Sequence, residues 1–178
     1  MPGRRNALLA ASQMIAEIDA LAQAHPPQAV TTVGHLDVSP NSRNTIPGHV
    51  YFTVDIRHPQ APTLDTLEAA LESLIARAAS GHGVETKHQR IQYTLPVEFD
   101  ADCIAAVQRA CQTLGVPHRQ MWSGAGHDSC YVSQVAPTSM IFVPCAGGLS
   151  HNEAESATPE DLAAGCDVLL NAVLDRAA

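Results

Sequence analysis

Apolar residues recur every three or four positions at Leu8, Ala11, Ile15, Ile18 and Ala22, the spacing of one buried helix face. A helix is therefore predicted from about Asn6 to Ala24, stopped by His25-Pro26-Pro27 because proline cannot continue the hydrogen-bond ladder. The period then drops to two. A strand is predicted near Val30–Val38, followed by turns over Pro40–Asn44 and Ile46-Pro47-Gly48. Val50, Phe52, Val54 and Ile56 next alternate with Tyr51, Thr53, Asp55 and Arg57, which predicts a strand with one buried face. Leu64, Leu67, Leu71, Leu74, Ile75 and Ala78 return to helical spacing, so a second helix is expected over about Thr63–Ser80, ended by Gly81-His82-Gly83. A strand is predicted near Val84–Tyr93.

The order helix, strand, strand, helix, strand is that of a ferredoxin-like α/β sandwich without its first strand. Leu95-Pro96-Val97 reads as a crossing into a second unit, so the expected domains are 1–96 and 97–178. In the second, Asp100 is placed to cap a helix carrying Ile104, Val107, Cys111 and Leu114, with Gly115 just past its end. Strands are predicted near His118–Trp122 and Thr138–Val143. The run Thr158-Pro159-Glu160-Asp161 is a helix start: a cap, a proline at the first helical position and acid in the first turn. The buried stripe expected on that last helix is Leu162, Cys166, Leu169, Leu170 and Val173. The overall class is α/β.

Composition narrows the partners. Lys87 is the lone lysine, and the formal net charge is -8, so no basic surface exists to displace counterions from nucleic acid. No run of about 18 apolar residues predicts a membrane span. The N-terminal stretch lacks the apolar core and cleavage site of a secretory signal. Five cysteines, at 103, 111, 130, 145 and 166, are odd in number and lack C-x-x-C spacing. Reduced thiols and a cytoplasmic location fit them better than zinc or disulfides. Cys103, Cys111 and Cys166 fall on apolar helical faces and read as core.

Four positions can carry chemistry. His151 follows the end of the expected strand Thr138–Val143 through Gly147-Gly148, where open α/β sheets place their sites. Imidazole there can ligate a metal, or it can be a plain exposed loop histidine. His127 lies in Ser123-Gly124-Ala125-Gly126-His127-Asp128. Glycines such as Gly126 let backbone N–H groups approach a ligand, and His127 can donate a hydrogen bond to a substrate carbonyl or carboxylate. An ordinary turn explains the same residues. Asn44 and Arg57 flank the Pro47-Gly48 turn. The arginine fork matches a carboxylate in bidentate fashion, although a surface ion pair with Asp55 is the simpler reading.

The blocks 40–59, 121–130 and 139–155 together resemble the hydantoinase/carbamoylase branch of the metal-dependent aminoacylase (M20-like) superfamily. The likeness covers nearly the whole chain and is to N-carbamoyl-L-amino-acid hydrolases, β-ureidopropionases and allantoate amidohydrolases. It implies a ferredoxin-like lid and dimerisation domain over 1–96, then the C-terminal part of an α/β metallohydrolase catalytic domain over 97–178. It implies that Asn44 and Arg57 hold the substrate, Arg57 through its carboxylate, and that His127 and Gly126 line the active site, His127 as a catalytic residue. His151 would be the final histidine ligand of a two-metal centre, with zinc or manganese, and cobalt or nickel as further options. The partners implied are a small ureido or carbamoyl amino acid and a second copy of the lid. Gly34-His35-Leu36-Asp37-Val38 imitates the family's first H-x-D ligand pair, but it leads directly into the lid-like block and reads as a non-ligand strand pair.

The family also has an upstream H-x-D pair, an adjacent Glu-Glu supplying the general base and a ligand, and a further histidine ligand. No two glutamates are adjacent in this sequence. Met1 therefore reads as an internal methionine serving as a start, or as the boundary at which a longer chain was cut. The remainder of the enzyme is expected to be missing or on another chain, and the isolated chain to be inactive and only partly able to hold metal. The alternatives are a non-catalytic dimerisation or ligand-binding module, an allantoate amidohydrolase, and a fragment of an M20-type peptidase.

Overall fold

Asn6 starts the first helix. Its side-chain oxygen accepts the N–H groups of Leu8 at 3.1 Å and Leu9 at 3.2 Å, two donors that no helical carbonyl can reach. The computed structural model describes residues 3–26 and 28–177; Met1, Pro2, Pro27 and Ala178 lie outside them, Pro27 being part of the expected helix stop. Two compact units result, Met1–Pro96 and Val97–Ala178.

The first unit holds helix α1 (Ala7–Gln23), strands β1 (Val30–Ser39) and β2 (His49–Arg57), and helix α2 (Ala61–His82). The strands form an antiparallel pair. Thr32 faces Asp55 and His35 faces Thr53, so Val33 and Gly34 together oppose Val54. This is a bulge, which bends the strand and resets the face of each later side chain. Phe52, Val54 and Ile56 pack on Ala10, Met14, Ile18, Leu71, Leu74 and Ala78 of the two helices. Ile18, Leu67 and Leu74 are the most deeply buried large side chains. Gly83 ends α2 in the left-handed region at φ +62°, and the Val84 N–H returns to the Ala79 carbonyl at 3.0 Å.

The strand expected at Val84–Tyr93 does not form. A strand requires a hydrogen-bonded neighbour, and β1 and β2 pair only with each other among the described residues. The segment instead lies along α2: Arg90 reaches Glu68 at 2.7 Å and covers the Tyr93 ring at 4.8 Å, while the Tyr93 hydroxyl donates to Asp65 at 3.1 Å.

The second unit holds helices α3 (Ala101–Leu114), α4 (Ser129–Val132) and α5 (Pro159–Ala177), with a 3-10 turn at Ala146–Gly148. Asp100 accepts the Cys103 N–H at 2.8 Å, and Gly115 closes α3 at φ +67°. At α5 the Thr158 hydroxyl accepts the Asp161 N–H at 3.1 Å and lies 2.6 Å from its carboxylate. The segments 118–122 and 138–143 were expected as strands; they have no ladder partner among the described residues and are not strands.

α5 packs differently from its apolar stripe. Val168 and Ala172 are its buried residues and join Ala106, Ala110 and Cys111 of α3. Leu162, Leu169, Leu170 and Val173 are half-exposed, and Cys166 is exposed. Small side chains let α3 and α5 approach closely, so the large ones remain on the outer side. There Leu162, Leu169 and Val173 line an apolar groove of about 660 Å³ with Cys103, Ile141 and Val143. Of the three cysteines expected in the core, Cys111 is buried, Cys103 is intermediate and Cys166 is exposed. No helix among the described residues is long and apolar enough to cross a membrane.

Candidate functional site

In the first unit, the site residues expected from the sequence lie at the end of β2 and in the β1–β2 loop. Arg57 ends β2, and its period-two partner Asp55 lies on the same face. The two make a fork-to-carboxylate pair: Nε donates to Oδ1 at 2.9 Å and Nη2 to Oδ2 at 2.6 Å. The hydrogen bonds from Arg57 hold the Asp55 carboxyl below the ordinary carboxylate range, and Asp55 raises the Arg57 guanidinium in return. Both side chains are about half-exposed, so solvent screens the pair. Asn44 is exposed in the hairpin loop, and its Oδ1 accepts the Ser42 hydroxyl at 3.2 Å. That loop closes through Gly48 N–H to Ser39 O at 3.1 Å.

His35 and Asp37 occupy the same outer face. The His35 Nε2 lies 2.8 Å from Asp37 Oδ2, and its ring meets Tyr51 edge-on at 5.7 Å. Tyr51 sits opposite Asp37 across the ladder. The pair is thus a strand-surface contact.

In the second unit, His127 is half-buried at the end of a tight loop. Its Nε2 lies 3.0 Å from the Ser123 hydroxyl, which also accepts the Ala125 N–H at 3.1 Å. Its ring meets Phe142 edge-on at 5.4 Å. One nitrogen and one ring edge are thereby fixed, and Gly126, exposed beside it, leaves the approach open. The polar partner Ser123 was not singled out in the sequence, although a hydroxyl four residues before a histidine in a glycine-rich loop is a readable signal.

His151 is exposed on the loop between the 3-10 turn and α5 and has φ +56°. Its N–H donates to Glu155 Oε2 at 2.9 Å. Among the described residues no three His, Cys, Asp or Glu side chains converge as a metal site would need. His151 offers one imidazole, and no other donors among the described residues complete a set around it. Within the first unit Arg57 and Asn44 stand at opposite ends of β2, the loop at one and the C-terminal end at the other.

A profile of Peptidase family M20/M25/M40 matches residues 6–175. The chain is 44% identical to the N-carbamoyl-L-amino-acid amidohydrolase of Rhizobium meliloti, covering 99% of this chain and 42% of that one. It is 33% identical to the allantoate amidohydrolase of Escherichia coli K12, over 79% of this chain and 34% of that one. The crystal structure of an amidase of the hydantoinase/carbamoylase family from Burkholderia multivorans superimposes with a TM-score of 0.94 at 52% identity, covering 99% of this chain and 43% of that one. The chain therefore spans about two fifths of the length of these proteins.

Proposed function

The chain belongs to Peptidase family M20/M25/M40, and from that membership we propose that it serves a metal-dependent amidohydrolase that cleaves the ureido C–N bond of N-carbamoyl-L-amino acids. The supporting observation is the joint likeness, in sequence and in structure, to an N-carbamoyl-L-amino-acid amidohydrolase and to a hydantoinase/carbamoylase amidase. Residues 1–96 are proposed as the lid and dimerisation domain, of ferredoxin-like type, and 97–178 as part of the catalytic domain. The working location proposed is the cytoplasm.

In this reading Arg57 binds the substrate carboxylate. Its fork is already matched to a carboxylate in Asp55, so the geometry suits a second carboxylate that shares or displaces that contact. Asn44 is proposed to offer an amide to the ureido group, a contact that the first unit alone does not bring to the same ligand as Arg57, since the two stand at opposite ends of β2. His127, held through Nε2 by Ser123, donates a hydrogen bond to the substrate carbonyl as negative charge develops there. His151 contributes one imidazole to a divalent-metal centre whose other donors the described residues do not assemble. A divalent ion in such enzymes polarises the carbonyl and acidifies water; zinc and manganese are the first candidates, and their ligand preferences overlap.

A graft tests the reading. The chain replaces the aligned 42% of the Rhizobium meliloti protein, and the product is assayed with N-carbamoyl-L-amino acids, allantoate and dipeptides. Metal-dependent release of ammonia from N-carbamoyl-L-amino acids is expected. A graft that loads metal yet prefers allantoate or dipeptides would move the assignment to those substrates.

A further inference from the structure

Glu155 is the residue we infer to position His151, by clamping its backbone in the left-handed conformation, which residues other than glycine adopt uncommonly. The left-handed region crowds Cβ against the backbone, so residues other than glycine enter it uncommonly, histidine more readily than most. His151 is there at φ +56°. Glycine occupies the neighbouring left-handed positions, Gly147 at φ +63° and Gly148 at φ +68°, whereas position 151 carries an imidazole and needs another source of restraint.

The Glu155 carboxylate supplies it with both oxygens. Oε2 accepts the His151 N–H at 2.9 Å, and Oε1 lies 3.8 Å from the Cys145 thiol. One side chain thus ties residue 151 to residue 145 at the entry of the loop. The loop is closed independently by Ala146 N–H to Ser156 O at 2.7 Å and by Glu155 N–H to Asn152 O at 2.9 Å. The Asn152 side chain accepts the Ala154 N–H at 2.9 Å. These other bonds shape the turn that carries Glu155, but among the described residues only the carboxylate engages the His151 backbone. Since φ and ψ at residue 151 set the direction in which its Cα–Cβ bond leaves the loop, Glu155 sets where the imidazole starts. Its value to catalysis rests on the proposed role of His151 as a metal-binding residue; the clamp itself does not.

The test uses the full 178-residue chain, isotope-labelled, with Glu155→Gln and Glu155→Ala variants. The readouts are the HN–Hα coupling and the amide hydrogen exchange of His151. Glutamine keeps a carbonyl acceptor at the same reach, so Glu155→Gln should retain the left-handed coupling and the slow exchange. Glu155→Ala should lose that coupling and exchange on the order of tenfold faster at His151, with amides of α3 and α5 unchanged. General loosening of the loop would not be rescued by glutamine. A His151 amide unaffected in Glu155→Ala, or a glutamine variant indistinguishable from the alanine one, would overturn the inference. Metal analysis of His151→Ala in the graft decides the ligand role separately, so the two readings fail independently.

Discussion

Arg57 and His151 are assigned different work, and single substitutions separate them. In the graft, Arg57→Lys keeps the charge but replaces a planar fork with a point donor. Loss of a charge-assisted bond of about 1.5–3 kcal/mol predicts a fall in kcat/KM of roughly ten- to a hundredfold, with metal content unchanged. His151→Ala should lower metal content first and activity as a consequence. Loss of metal in Arg57→Lys, or full metal in His151→Ala, would reverse the assignment. A pH prediction follows from the same pair. The folded Asp55 carboxyl lies below its ordinary value because of Arg57, so the pair's contribution is present above the unfolded carboxyl pKa. It is lost only as pH falls through the depressed value. Carbon NMR of the Asp55 carboxyl should show a midpoint below that of a free aspartate, rising toward it in Arg57→Lys. A midpoint at the ordinary value in the native chain would contradict the pairing. At this scale the residue types were legible but their immediate partners only in part. Asp55 could be read from strand alternation two positions from Arg57, and Ser123 from its spacing to His127, whereas Glu155 acts through a loop backbone conformation that no periodicity encodes.

Helices were legible where local chemistry alone decides them. Asn6, Asp100, Gly83, Gly115 and Thr158 all act where their residue types predict, since a cap is settled within four residues of chain. Strands 84–93, 118–122 and 138–143 were misread because a strand is a property of two segments, and alternation names only one. The α5 stripe was misread for a related reason: periodicity identifies an apolar face but not which neighbour covers it. Two substitutions check these elements. Asn6→Ala removes the acceptor for Leu8 and Leu9 and should cost about 1 kcal/mol in denaturant unfolding; no change would mean that water caps α1 equally well. Gly165 is the more discriminating case. Alanine is favoured over glycine inside an exposed helix by about 1 kcal/mol, so propensity alone predicts stabilisation. A Cβ at Gly165 would lie 2.5 Å from Val143 Cγ1, and such overpacking costs about 1–3 kcal/mol. The clash should win, giving a net loss of about 1 kcal/mol. A more stable Gly165→Ala variant would show that the 138–143 segment yields readily.

Across the molecule, each unit presents apolar or strand surface that its own residues leave uncovered. In the second unit Leu162, Leu169, Val173, Ile141 and Val143 line the groove of about 660 Å³, and Leu170 and Leu174 add exposed apolar area on α5. In the first unit the two-stranded sheet has two edges without a ladder partner among the described residues, an arrangement that invites pairing with another chain. The charge of -8 opposes association at long range, but salt screens it within about 10 Å. Contiguous apolar surface acts at contact and is not screened. Self-association of the isolated chain is therefore expected, and it should strengthen as salt is added. The two sources can be separated. Leu169→Glu places a charge in the groove while leaving Val168 and Ala172, the residues buried against α3, in place. If the groove drives association, this variant should sediment as a smaller species with its helical circular dichroism intact. If association is unchanged in Leu169→Glu, the exposed strand edges of the first unit are the cause. A native chain that sediments as a single monomeric species across concentration and salt would refute both.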